Sequence, residues 1–118
     1  MLKIVIAGAS DFNDYRSFDE RVGEVVSKLL RDRAEKYVTI YTGNHHGVDE
    51  LAKKYAKEHH YFYSSYLKKG LLNVEVLDDT KIKTSDLIIV FKHADSFKSE
   101  EILNIGKNSG VRTVMINC

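Results

Sequence analysis

Short apolar, β-branched runs alternate along the chain with stretches whose apolar residues recur at helical spacing. Leu2 to Ala7 is apolar except for Lys3, the pattern of a strand covered on both faces. Ser17-Phe18-Asp19-Glu20 fits a capping box with Ser17 as N-cap. Phe18, Val22, Val25, Val26 and Leu29 follow as one helical stripe. Val38 to Tyr41 reads as a second strand. Val48, Leu51, Ala52, Tyr55, Ala56 and His59 trace one face of a second helix, and Tyr61 to Tyr66 reads as a third strand rich in aromatics. Asp86 to Phe91 is the clearest buried strand. A helix from Lys98 to Asn108 and a last strand from Val111 to Ile116 follow it, with Asn108-Ser109-Gly110 as the stop between them. From Lys68 to Ser85 the pattern is ambiguous, because Leu71, Leu72, Val74, Val76 and Leu77 fit a poor helix or a short strand equally well.

Alternation of this kind implies βαβ units and a parallel sheet. The expected fold is a single α/β domain over residues 1–118, Rossmann-like and three-layered, with a mostly parallel five-stranded sheet. A length of 118 residues suits one domain, and no internal repeat, low-complexity segment or linker interrupts it.

Composition narrows the function classes. With 43% hydrophobic and 30% charged residues the chain has a globular balance. Eighteen Lys plus Arg against seventeen Asp plus Glu leave a net charge of +1, which argues against nucleic acid as a dedicated partner. No apolar run approaches the roughly 18 residues that span a bilayer, and the N-terminus reads as a buried strand rather than a signal peptide. Membrane and secretory readings are therefore set aside. The single cysteine, Cys118, excludes an internal disulfide and suits a reducing, cytoplasmic setting. Proline is absent, so turns fall to Gly, Asn, Asp and Ser.

In an open parallel sheet, ligands bind beyond the carboxyl ends of the strands, where strand order reverses. Three loops leave strand ends here. The first offers Gly8, Ala9, Ser10, Asp11, Phe12 and Tyr15 as ligand-lining candidates. The second offers Gly43, Asn44, His45, His46 and Gly47, with Asp49 just beyond, and the third Ser96, Lys98 and Ser99. Glycine at a strand exit lets backbone turn sharply and lets a phosphate approach the main chain, and helix starts favour an anion. The same glycines also serve plain strand-to-helix turning. None of the loops is a G-x-G-x-x-G or a P-loop, which argues against the usual dinucleotide and triphosphatase chemistries. His45 and His46 suit phosphate contact or acid–base work near neutral pH. A metal would need further ligands, and Asp49 and His93 lack a recognised spacing, so neither metal nor cofactor is expected. His59 and His60 fit a helix end, and Lys53, Lys54 and Lys57 a solvated helix face.

Gly8-Ala9-Ser10-Asp11-Phe12-Asn13-Asp14-Tyr15 resembles the "GSRDFNDY" opening of the small YspA-like branch of the SLOG superfamily. That superfamily also includes the DprA/Smf DNA-processing proteins and the LOG phosphoribohydrolases. Thr42-Gly43-Asn44-His45-His46-Gly47-Val48-Asp49-Glu50-Leu51-Ala52 is similar to the branch's "SGGARGADxLA", and Phe91 to Ser99 occupies the place of "FWDGKSKGT". The resemblance covers nearly the whole chain. It implies a Rossmann-like fold that binds a nucleotide or nucleoside phosphate across these loops, as a dimer or larger oligomer. Some relatives cleave N-glycosidic bonds of nucleoside monophosphates. Others sense nucleotide-derived signals such as ADP-ribose derivatives, which connects the superfamily with antiphage defence and phage counter-defence.

The chain departs from the branch at positions that matter for catalysis. Ser10 and His46 stand where the motifs have arginine, and Lys98 and Ser99 stand where they have glycine and threonine. Glycosidic cleavage needs a cation on the phosphate and a carboxylate against developing ribosyl charge. Glu100 and Glu101 are the carboxylates nearest the family's glutamate, but neither keeps its spacing. The leading expectation is a module that senses or sequesters a nucleotide-type ligand, such as an ADP-ribose derivative, without turnover. The alternatives are an N-glycosidase acting on a nucleoside monophosphate, and an oligomeric interaction protein whose pocket is vestigial. The aromatic strand Tyr61 to Tyr66 is then a candidate interface.

Overall fold

The first strand sets the frame. In the computed structural model, which describes residues 1–92 and 97–117, Leu2–Gly8 (β1) is the central strand of a five-stranded sheet. The chain continues through α1 (Tyr15–Arg33), β2 (Val38–Thr42), α2 (Val48–Glu58) and β3 (Phe62–Ser65). A hairpin of β4 (Leu67–Lys69) and β5 (Glu75–Leu77) follows, then the short helix α3 (Asp79–Lys83), β6 (Leu87–Lys92), α4 (Phe97–Asn108) and β7 (Thr113–Asn117). The sheet order is β3-β2-β1-β6-β7 with every pairing parallel. The α/β, Rossmann-like three-layer expectation holds, and the sheet is wholly rather than mostly parallel.

Alternate residues of the buried strands feed two cores. Leu2, Ile4 and Ile6 point to one face, where Phe18, Val22, Val26 and Leu29 of α1 and Val48, Ala52, Tyr55 and Ala56 of α2 cover them. Val5 and Ala7 point to the other, against Ile82 of α3 and Ile102 and Leu103 of α4. Both faces being covered explains why these strands read as continuous apolar runs. At the carboxyl end of the sheet, Phe18 stacks on Phe91 with centroids 5.0 Å apart and meets Tyr55 edge-on at 5.9 Å. Among the described residues, no helix is long and apolar enough to cross a membrane.

Two expectations need correction. Helix α1 starts two residues before the expected Ser17 cap. Asp14 is the N-cap, its carboxylate accepting from Ser17 N at 3.1 Å. Both residues are good caps, but starting at Asp14 adds Tyr15 to the apolar side, where it stacks on Phe18. The ambiguous stretch from Lys68 to Ser85 is a hairpin followed by a single helical turn. Its apolar residues form no buried stripe: Leu71, Leu72, Val74 and Val76 are all exposed. At the hairpin tip, Leu72 and Asn73 have φ of 57° and 59°. Positive φ at both central positions is the type I′ requirement; Asn accepts it readily, whereas leucine does so at a cost of about 1 kcal/mol.

Candidate functional site

Strand order reverses between β1 and β6. β1 leads into α1 on one face of the sheet, and β6 leads into α4 on the other. A crevice at such a reversal is where open parallel sheets take ligands. The first loop and the start of α4 flank it, with the loop after β2 alongside.

The first two loops are tied together at the main chain. Ala9 is buried; its N–H donates to Phe91 O at 3.2 Å, and its carbonyl accepts from Val48 N at 3.1 Å. Both backbone groups of Ala9 thus brace β1 against β6 and the start of α2. The crossing leaves no room for a side chain at two glycines. A Cβ on Gly8 would lie 2.5 Å from Phe91 O, and one on Gly47 would collide with Ala9 O and the Ser10 carbonyl. Gly47 also has φ 75° and ψ −126°, which L-residues avoid. The turning role of these glycines is therefore sufficient to explain them.

Beneath the second loop lies a buried carboxylate. Asp49, in the first turn of α2 and only 4% exposed, accepts from Thr42 Oγ1 and from His45 N, both at 3.2 Å. The His45 imidazole sits 3.4 Å away, and the buried Tyr66 hydroxyl donates to the same carboxylate. Desolvation, and then the charge and hydrogen bond of Asp49, push the Tyr66 phenol well above its ordinary value, so it stays a donor. Gly43 packs on this pair, since a Cβ there would be 2.5 Å from Asp49 Oδ2 and 2.7 Å from the Tyr66 hydroxyl. Held by these donors, Asp49 acts as a strut for residues 42–49. It also fills the amino end of α2 with negative charge, and Val48 N is already paired. Both features disfavour an anion at Gly47.

Thr42 and Tyr66 were not among the residues singled out from sequence. Tyr66 read as one more aromatic of the third strand. Its signal is chemical: a tyrosine buried to 2% needs a hydroxyl partner.

At the rim, Ser10, Asp11, Asn44, His45 and His46 are exposed. Each histidine faces an acid one turn on, His46 Nδ1 lying 2.8 Å from Glu50 Oε1. Asn44 donates to Glu75 of the hairpin at 3.3 Å and accepts from Lys53 at 3.4 Å. Phe12 is half-buried, its ring 5.2 Å from that of Phe91 at the crevice edge. Tyr15 lies instead in the seam between α1 and α2. Its hydroxyl donates to Glu58 at 2.6 Å, and Lys54 Nζ lies 4.2 Å from its ring centroid. Ser96 and His93 lie outside the described residues. In the first turn of α4, Lys98 is half-buried and Ser99 buried, whereas Glu100 and Glu101 are exposed. His59 ends α2 as expected, paired with Asp19 at 2.9 Å and packed on Tyr55.

Comparison with protein-family models, with curated proteins and with solved structures finds no match for this chain.

Proposed function

We propose that this domain binds a nucleotide or nucleoside phosphate, of the ADP-ribose class, in the crevice between β1 and β6, and holds it without turnover. The observation that carries the reading is the reversal of strand order between β1 and β6, with the first loop and the start of α4 on either side of it. Phe12, half-buried at the edge, offers an apolar surface for a base. Lys98 and Ser99, in the first turn of α4, offer a cation and a hydroxyl to phosphate, and the exposed His45 and His46 add imidazole groups on the α2 side.

Retention without cleavage follows from the carboxylates. A carboxylate that stabilises ribosyl charge works best in a dry, pre-organised position. Glu100 and Glu101 are exposed, and the buried Asp49 already accepts three hydrogen bonds.

Native mass spectrometry against nucleoside monophosphates, cyclic nucleotides and ADP-ribose tests this. One intact ligand per chain is expected, weakened at least tenfold by Lys98→Glu. Free base or ribose phosphate appearing in the spectra overturns the retention claim, and no bound mass across the panel overturns the binding claim.

A further inference from the structure

We propose that Asp49 fixes His45 in the tautomer that carries its proton on Nδ1, so that Nε2 stands at the rim of the crevice as a hydrogen-bond acceptor for a ribose hydroxyl. The ligand half of this inference rests on the nucleotide reading above; the tautomer does not. Asp49 lies four residues after His45, and its Oδ2 accepts from the His45 N–H at 3.2 Å. The same oxygen is 3.4 Å from His45 Nδ1. The carboxylate also meets two hydroxyl donors, Thr42 Oγ1 at 3.2 Å and the buried Tyr66 phenol. An ionised carboxylate only accepts hydrogen bonds. A bare Nδ1 would set its lone pair against Oδ2 at a buried residue, where little water screens the repulsion. A proton on Nδ1 turns the same contact into attraction. A neutral imidazole carries one ring proton, so Nε2 is then left bare.

Nε2 lies across the ring from Nδ1. The His45 side chain is 54% exposed whereas Asp49 is buried, so the imidazole joins a buried anchor to open solvent. The ring is held from behind and reads outward. His46 repeats the arrangement in a looser form. Its Nδ1 lies 2.8 Å from Glu50 Oε1, but both side chains are exposed and solvent screens the pair. Neutral histidines held this way present acceptors, which suit a ligand donor rather than a phosphate oxygen. The donors of a nucleotide are its sugar hydroxyls and groups on its base. With the base on Phe12 and the phosphate beside Lys98 and Ser99, the sugar is the part left to the loop after β2. Main chain does not serve it where the two loops cross, because the Ala9 carbonyl is engaged by Val48 N. His45 is therefore the residue that reads the sugar, and Asp49 acts on the ligand only by positioning that ring.

Long-range proton–nitrogen NMR of the imidazole rings, recorded on the free chain at mildly alkaline pH, reads the tautomer directly, because protonated and bare ring nitrogens differ widely in shift. His45→Phe removes the His45 signals and so assigns them. His45 is expected to be protonated at Nδ1 and bare at Nε2, and Asp49→Asn should move the proton toward Nε2. A wild-type ring protonated at Nε2, or at both nitrogens, overturns the proposal, and so does an unchanged tautomer in Asp49→Asn. Should Asp49→Asn fail to fold, the wild-type spectrum decides alone. The hydroxyl is tested by titrating AMP and its dideoxy analogue, which keeps base and phosphate and lacks both sugar hydroxyls. Losing one neutral hydrogen bond corresponds to about three- to tenfold in affinity. Wild type should prefer AMP by that factor, and His45→Phe should bind the two nucleotides equally. Equal affinity in wild type, or a preference that survives His45→Phe, overturns the hydroxyl assignment and leaves nucleotide binding standing. Binding of neither nucleotide overturns the nucleotide reading and the hydroxyl assignment together.

Discussion

Replacing Tyr66 with phenylalanine removes one oxygen from the buried strut under the second loop and leaves the ring in place. The lost interaction is a hydrogen bond to a charged acceptor, worth about 1.5–3 kcal/mol. Asp49 keeps its bonds from Thr42 Oγ1 and His45 N, so a value at the lower end, about 1.5–2 kcal/mol, is expected. For a chain of this length that lowers Tm by about 6–8 °C. Urea denaturation followed by circular dichroism measures the loss directly. The effect belongs to the pair: in an Asp49→Ala background, Tyr66→Phe should cost less than about 0.5 kcal/mol, the coupling appearing in a double-mutant cycle. Since Asp49 holds the His45 backbone in place, Tyr66→Phe should also weaken ligand binding severalfold. A wild-type Tm in Tyr66→Phe, or strict additivity with Asp49→Ala, refutes the assignment of Asp49 as a strut.

Gly47→Ala forces a Cβ into the Ala9 carbonyl at a backbone conformation that alanine avoids; a loss of at least about 2 kcal/mol is expected in urea denaturation. Leu72→Asn alone should stabilise the chain by about 1 kcal/mol in the same assay, because asparagine tolerates the left-handed turn position. Burial raises the phenols of Tyr55 and Tyr66 above their ordinary value of 10.0. The folded state then keeps protons that the unfolded state releases near pH 10, so the stabilisation is complete below that pH and falls as pH rises toward the folded values. The two together should lose about 3 kcal/mol per pH unit above 10, read from denaturation midpoints at pH 8, 10 and 11, and Tyr66→Phe should make that slope shallower.

The sheet and its long helices were legible because their burial follows their pattern. Apart from Lys3, Leu2 to Ala7 is apolar and covered on both faces, as is Leu87 to Phe91, and the α1 stripe from Phe18 to Leu29 meets the core it predicts. The hairpin was illegible for the opposite reason. Leu71, Leu72, Val74 and Val76 are apolar but face solvent, so no periodicity relates them to a core. Of the site, the loops and Asp49 could be picked out, since glycines and polar residues cluster after strand ends. The partnership of Asp49 with Tyr66 could not, because it joins a residue of α2 to one just past β3, which only the folded sheet brings together.

The binding claim is tested most directly by a backbone amide NMR titration with ADP-ribose. The account predicts saturable shifts concentrated at Ser10 to Phe12, at His45 and His46 and in the first turn of α4 around Lys98 and Ser99. Val25 and Val114, far from the crevice beside Leu29 and Leu87, should be unmoved. Shifts centred on Val25 and Val114 instead, or no saturable shift at millimolar ligand for any of the phosphorylated nucleosides, would contradict it.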